Sequence, residues 1–390
     1  MRFSGTSARG IRGPIIKRGD DLTSIIIDSL TNVTRYEDVM LNDGDIVCIT
    51  ESVVAISQGN FAELDDIVQD LNTKFVNDTI GVLFPVLSRN RFALILKAIV
   101  KTNKKVILQL SYPADEVGNK LFLEEELYKK RINPYQDEFM LEEFRKLFPT
   151  TIHQFTNIDY IDYYQDIIGP NGQIILSNNP NAILKYTKDI LVASVHNRVQ
   201  VKNELLNNGG NIILGLDDIL TRPVNNSGYN EQYGLLGSNA LGENTLKLFP
   251  RDGFSFVQEV QTKIKEVFGK HLEVMIYGDG AFKDPRGGIW ELCDPVVSPG
   301  YTSGLVGTPH ELKLKYLANE KFSLLDRDQS QQEIKKLIKE KNQPHDASLG
   351  TTPRQIVDLL GSLADLVSGS GDKGTPFVLI QNYFTNYATE

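Results

Sequence analysis

The sequence predicts a globular fold in which strands and helices are interspersed along the whole chain, and two observations carry that expectation. Short branched-apolar runs such as Ile46-Val47-Cys48-Ile49-Thr50, and the alternation of Leu272, Val274 and Ile276, read as buried strands that stop at turn or polar residues. Between such runs lie segments with helical apolar spacing, among them Leu22 to Leu30, Ala93 to Val100, Phe256 to Val267 and Ile356 to Val367. A hydrophobic fraction of 41% over 390 residues supplies a core for two modest domains or one large one. The net charge of -9 opposes general nucleic-acid binding, which draws on clustered Lys and Arg, so small anions held through metal ions are the expected ligands. Cys48 and Cys293 make no metal-ligand spacing and are expected to be free thiols in a reducing compartment. No apolar run approaches bilayer length and the N-terminus lacks a signal-peptide core, which predicts a cytoplasmic protein with no membrane partner.

In chain order, Arg9 to Ile16 is an extended segment whose two arginines, Arg9 and Arg12, are either solvated or reach a phosphate. Asp20 or Asp21 caps the helix that begins at Leu22. The turn Asn42-Asp43-Gly44-Asp45 leads into the strand 46–50, which ends at Glu51-Ser52. Val53-Val54-Ala55-Ile56 reads as a further apolar strand closing at Gln58-Gly59-Asn60. Ser88 or Asn90 caps the helix over Ala93 to Val100. More strands are expected at Lys105 to Leu110, Ile174 to Leu176, Ile190 to Ala193 and Asn211 to Leu216. The charged stretch Leu121 to Leu147 reads as helices with one solvated face, a mobile lid or a partner surface being the alternative use. His196 reads as a structural histidine. In the loop Arg222 to Glu231 the amide side chains donate and accept at once, which suits phosphate, sugar or metal-bound water, although Asn and Gly also simply make turns.

The chemical centre is expected between Met275 and Thr302. There the apolar strand stops at Gly278-Asp279-Gly280, Asp284 to Gly288 makes a second tight turn, and Trp290, the only tryptophan, leads to Glu291 and Asp294. Asp279 is either a ligand for a hard cation such as Mg²⁺ or Mn²⁺ or the turn residue of a hairpin. Glu320 to Lys341 reads as a solvated helix, and Thr351-Thr352-Pro353-Arg354 as the start of a buried one. The loop Ser368-Gly369-Ser370-Gly371-Asp372-Lys373-Gly374 either wraps phosphate with backbone N–H groups or joins that helix to a last strand, Pro376 to Ile380. No P-loop motif occurs.

Several of these segments, in this order, resemble the coenzyme F(420) γ-glutamyl ligase (CofE-like) family. Gly10 to Asp21, with Pro14, Ile15 and Ile16, is similar to the family's opening phosphate-side segment, and Asp45 to Gly59, with Glu51 and Ser52, to its second nucleotide-binding strand and turn. Asn226-Ser227-Gly228-Tyr229-Asn230 resembles its Asn-Ala-Gly-x-Asp loop, and Ile276 to Gly280 its metal-binding Ser-Asp-Thr. Ala364 to Gly369 looks like its late helix and nucleotide loop. The resemblance implies an α+β fold with mixed sheets and flanking helices, and a homodimer with the site near the interface. It implies that L-glutamate is added to a carboxylate acceptor, the coenzyme precursor or a related small molecule, with GTP or ATP and Mg²⁺ or Mn²⁺. Metal would then be held at Asp279, Asn230 and Gly280, and nucleotide by Pro14, Ile15, Ile16, Glu51, Ser52 and the loop Ser368, Gly369, Ser370, Gly371 and Asp372. Asn230 stands where the family carries aspartate, Gly280 where it has threonine, and Ile56 where lysine is common. The departures at Asn230 and Ile56 support a rival, a non-catalytic ligand-binding protein of the same fold, and a second rival is a metal-dependent phosphohydrolase that uses the same carboxylates. The expected division is an N-terminal part, 1–206, with an enlarged middle from about Phe61 to Leu206 that remodels the acceptor pocket, and a C-terminal part, 207–390.

Overall fold

The computed structural model describes residues 4–153, 156–278, 281–283, 290–292, 298–341, 355–368 and 372–389, with backbone alone at 281–283 and 290–292. The chain is α+β, with mixed sheets and flanking helices. Its contacts gather into two compact units, one of residues 1–54, 252–281 and 296–390, the other of residues 55–251 and 282–295. Each unit draws on separated stretches, whereas the two parts divided at 206 are consecutive.

The first unit is built on a five-stranded sheet with the order Ser7–Ile11, Phe377–Gln381, Ile46–Thr50, Glu273–Tyr277, Gly300–Tyr301. Ile46–Thr50 is a central strand, between an antiparallel neighbour, Phe377–Gln381, and a parallel one, Glu273–Tyr277, and its residues 46–49 are buried. Side chains alternate across a strand, so the sheet has two apolar faces. Cys48, Met275, Val378 and Ile380 pack with Leu360 and Ala364 of the helix Ile356–Ser368. On the opposite face Ile276 meets Gly253, the first residue of the helix Gly253–Phe268, where a Cβ would lie 2.5 Å from the Pro299 carbonyl oxygen. Asp21 caps the helix Leu22–Tyr36 by accepting from the Ser24 N–H at 3.0 Å, and that bond holds its carboxyl below the usual range. Asp20 instead accepts from the Lys17 N–H at 2.7 Å. The charged segment near the end forms a helix over Arg327–Glu340, capped by Asp326.

The second unit holds a six-stranded sheet with the order Phe139–Met140, Gln173–Leu176, Lys105–Leu110, Thr79–Leu83, Asp189–Val192, Ile212–Gly215. Its last five strands run parallel, and only Phe139–Met140 pairs antiparallel. Parallel strands need covered faces, which explains their continuous apolar runs. Leu83, Ile107, Ile190 and Val192 pack on one side with Ile183, Val201 and Leu205. The helix Phe92–Lys101 begins where Ser88 Oγ accepts the Phe92 N–H at 3.0 Å, so Ser88 and not Asn90 makes that capping bond. Within Leu121 to Leu147, helices cover Glu125–Lys130 and Leu141–Leu147, Phe144 is fully buried, and the Phe122 ring stacks on Phe148 with centroids 4.0 Å apart.

One element differs in type. Val53 to Ile56 lies in a helix, Glu51–Gln58, instead of a strand. A four-residue apolar run fits either state, and here burial falls on Val54 and Ala55 while Val53 and Ile56 are half-buried, a helical rhythm.

Candidate functional site

In the first unit the strand register brings several sequence segments to one end of the sheet. Ile11 lies opposite Phe377, Phe377 opposite Ile49, and Thr50 opposite Tyr277. Ile46–Thr50 and Glu273–Tyr277 are parallel, so both chains leave the sheet at this end, at Glu51 and at Gly278. Two further bonds tie the connections together: the Gly13 N–H donates to the Gly374 carbonyl at 3.1 Å, and the Thr50 N–H to the Pro376 carbonyl at 3.0 Å. Pro14, Glu51, Ser52, Ser368 and Asp372 thus all belong to connections that meet at one sheet end. Their exposures differ: Glu51 and Ser368 are buried, Pro14 and Asp372 exposed, while Ile15 is 87% exposed and Ile16 buried. Glu51 opens its helix, where a carboxylate is favoured by the unsatisfied N–H groups of the first turn. Asp279, Gly280, Gly369, Ser370 and Gly371 lie outside the described residues, as does Cys293.

Tyr277, the residue before Gly278, is 1% exposed. Burial raises its phenol above the ordinary range, opposed by the hydroxyls of Ser368 and Thr50 beside it. Ser368 is fixed in turn, because its carbonyl accepts from Thr375 Oγ1 at 2.7 Å. Cys48, on the neighbouring strand, is a free and fully buried thiol whose pKa burial pushes up, so it is chemically inert.

At the Ser7–Ile11 side of this sheet end opens a cavity of 690 Å³ whose lining includes Arg12, Lys373, Thr375, Ser29 and Asn32, with one carboxylate, Glu37, which is paired with Arg9. Two cations with hydroxyl and amide groups around them suit a phosphate-bearing ligand. Arg9 is otherwise engaged, its guanidinium paired with Glu37 at 3.0 Å on the surface. The sequence left Arg12 open and did not single out Lys373, Thr375, Ser29 or Asn32. A lysine inside a glycine loop and an asparagine on a helix carry no local signal, and only the chain's return to Gly13 brings them together.

Asn230 and its loop belong to the second unit. Asn230 is 6% exposed: its Oδ1 accepts from the N–H groups of Gln232 and Tyr233 at 3.0 and 2.8 Å, and its Nδ2 donates to the Pro250 carbonyl at 2.9 Å. Ligation of a metal through Oδ1 therefore requires that those two bonds be given up or shared. Asn60, fully buried, holds the same loop by accepting from the Tyr229 N–H at 3.0 Å and donating to the carbonyls of Tyr229 and Phe249 at 2.9 and 2.6 Å. Gly228 has no room for a side chain, since a Cβ would lie 2.5 Å from the Phe61 nitrogen. The Arg251 guanidinium stacks over the Tyr229 ring at 5.2 Å. His196 is exposed, and its N–H donates to Glu116 at 3.1 Å.

Among the described residues no group of three or more His, Cys, Asp or Glu is placed to hold a metal ion by itself. No helix among them is long and apolar enough to cross a membrane. A comparison with curated proteins finds no match. Residues 10–382 match the family model described as F(420)-0:gamma-glutamyl ligase, a span that takes in every segment gathered at the sheet end. The chain belongs to the F(420)-0:gamma-glutamyl ligase family.

Proposed function

We propose that the chain joins L-glutamate to a carboxylate acceptor, the coenzyme F(420) precursor or a related small molecule, at the expense of GTP or ATP with Mg²⁺ or Mn²⁺. The observation that carries the nucleotide half of this reading is the cavity where Arg12 and Lys373 converge beside Ser29, Asn32 and Thr375. Phosphoryl transfer asks a protein mainly for positioning and charge neutralisation, which cations and backbone N–H groups provide. An acceptor carboxylate oxygen attacks the γ-phosphorus, the bond to the nucleoside diphosphate breaks, and an acyl phosphate results. The glutamate nitrogen then attacks the acyl carbon, expels phosphate and leaves an amide. A hard cation fits the donors the sequence offers: one or two carboxylates with phosphate oxygens and water suffice for Mg²⁺, and Asp279, two residues after the strand Glu273–Tyr277 in sequence, supplies one. Bound there, the cation would supply charge neutralisation at the transferring phosphoryl group. Asn230 keeps its loop in shape, and the family resemblance makes it and Gly280 further metal contacts. A homodimer is part of the same proposal, on the same ground.

Calorimetry with GTP and ATP tests the reading. Nucleotide affinity should need divalent metal, falling in excess EDTA, and should fall roughly tenfold in Arg12→Ala or Lys373→Ala, the scale of one charge-assisted contact. Affinity that ignores both EDTA and these substitutions contradicts the placement.

A further inference from the structure

The parallel sheet of the second unit has a feature that the ligase reading does not use. Its first strand in sequence, Thr79–Leu83, lies in the interior of the sheet. The next two parallel strands, Lys105–Leu110 and Gln173–Leu176, add on one side, and the last two, Asp189–Val192 and Ile212–Gly215, on the other. The winding direction therefore reverses between Thr79–Leu83 and Asp189–Val192. The two strands stay joined past this point, where the Ala193 N–H donates to the Leu83 carbonyl at 2.8 Å. In open parallel sheets, connections at such a reversal depart in opposite directions and leave a crevice beyond the carboxyl ends of the strands, the usual place for a ligand.

A crevice of 530 Å³ lies there, a size that takes a small organic molecule. Its walls include residues that follow four of the parallel strands, Phe84, Ser111, Asn178 and Ser194. Ser194 is 2% exposed and its Oγ has no hydrogen-bond partner among the described residues. A buried hydroxyl without a partner is destabilising, so an orphan in the wall of a crevice is a group awaiting a ligand.

The charges decide which ligand. At such a reversal the N–H groups opening the following helix commonly hold an anion. Here the Glu116 carboxylate already fills that position, accepting from the N–H of Val195 and from those of His196 and Asn197 at 3.1 and 3.3 Å, just before the helix Arg198–Asn207. The lining adds Asp115 and Glu124 and contains no Lys or Arg. Tyr135, 88% exposed, presents an aromatic ring among them, while Tyr112 stands buried behind the lining. Carboxylates and aromatic faces without a cation repel phosphates and carboxylates and attract an ammonium group. We propose that this crevice is a second ligand site, independent of the nucleotide cavity, that takes a small organic amine in its cationic form with an aromatic or aliphatic body.

The test uses the full chain and two probes that share a phenol ring and differ in their charged end, tyramine and 4-hydroxyphenylacetate. Isothermal titration should give saturable tyramine binding, with the acid at least tenfold weaker. Gln200, exposed on the helix Arg198–Asn207 and part of the lining, is the position at which to block the mouth. Gln200→Trp should weaken tyramine at least tenfold at an unchanged melting temperature, and Glu124→Gln, a second exposed position, should weaken it in the same direction. Both substitutions lie outside the first unit, so nucleotide binding should not change and the two sites fail or stand separately. Equal binding of acid and amine overturns the proposal. So does tyramine binding that neither substitution weakens, or no saturation up to about 10 mM, the weak end for a ligand of this size.

Discussion

Asp279 follows the buried strand Glu273–Tyr277 by one glycine, and its neighbour before the turn, Tyr277, is held at the same sheet end as Glu51 and Ser368. Asp279→Asn keeps the size and the turn propensity but removes the charge. The variant should melt as the wild type does without ligand, yet lose the joint stabilisation by nucleotide and Mg²⁺ that preferential binding to the folded chain confers. A full wild-type shift in the variant would make Asp279 a turn residue only. Asp115 offers a second residue-scale test. Burial pushes its carboxyl up to about 6, against the pull of N–H donors from Leu87, Asn119 and Val117. A folded-state pKa above the unfolded one means that the group's stabilising contribution is complete below about pH 4 and lost as pH rises through about 6. The unfolding free energy of wild type minus that of Asp115→Asn should therefore fall by roughly 2–3 kcal/mol between about pH 4 and 7. A difference that stays flat or grows with pH contradicts it. At this scale the sequence narrowed each cap to two residues, Asp20 or Asp21 and Ser88 or Asn90, because a cap is decided within four residues, and Asp21 and Ser88 make the bonds. It did not show Lys373 or Ser194 as site residues, because both acquire their surroundings from strands far away in the chain.

Elements were legible where length and periodicity agreed. The strands Ile46–Thr50, Lys105–Leu110 and Asp189–Val192 and the helices Leu22–Tyr36, Gly253–Phe268 and Ile356–Ser368 follow their apolar patterns. Val53 to Ile56 failed for the opposite reason, four apolar residues being too few to show a period. The order of strands within the second unit was not legible at all, since local periodicity carries burial but not the identity of the neighbour. The loop Asn226 to Asn230 is a test of how an irregular element is fixed. Asn60 and Asn230 anchor it by side-chain bonds to backbone, and Gly228 lets it approach Phe61. Gly228→Ala places a methyl 2.5 Å from the Phe61 nitrogen and 2.7 Å from the Asn60 carbonyl carbon. Backbone cannot rotate away as a side chain would, so the variant should lose about 1–3 kcal/mol in urea denaturation. An unchanged midpoint would show that the loop adjusts freely.

For the whole molecule, membership of the ligase family was legible as a distributed resemblance, and the match over residues 10–382 bears it out. The middle of the chain, from about Phe61 to Leu206, supplies five of the six strands of the second unit's large sheet. A chain of this family should be a dimer, which light scattering at micromolar concentration checks by mass, a monomer mass being the contrary result. The central claim is the reaction. The chain should be incubated with the F(420) precursor, L-glutamate, GTP or ATP and Mn²⁺ or Mg²⁺, and the products read by mass spectrometry. The expected product is an acceptor heavier by one glutamyl residue, formed only when nucleotide, metal and glutamate are all present, with one phosphate released per amide. Phosphate released at the same rate without glutamate, and no glutamyl product from a chain that binds the nucleotide, would contradict it.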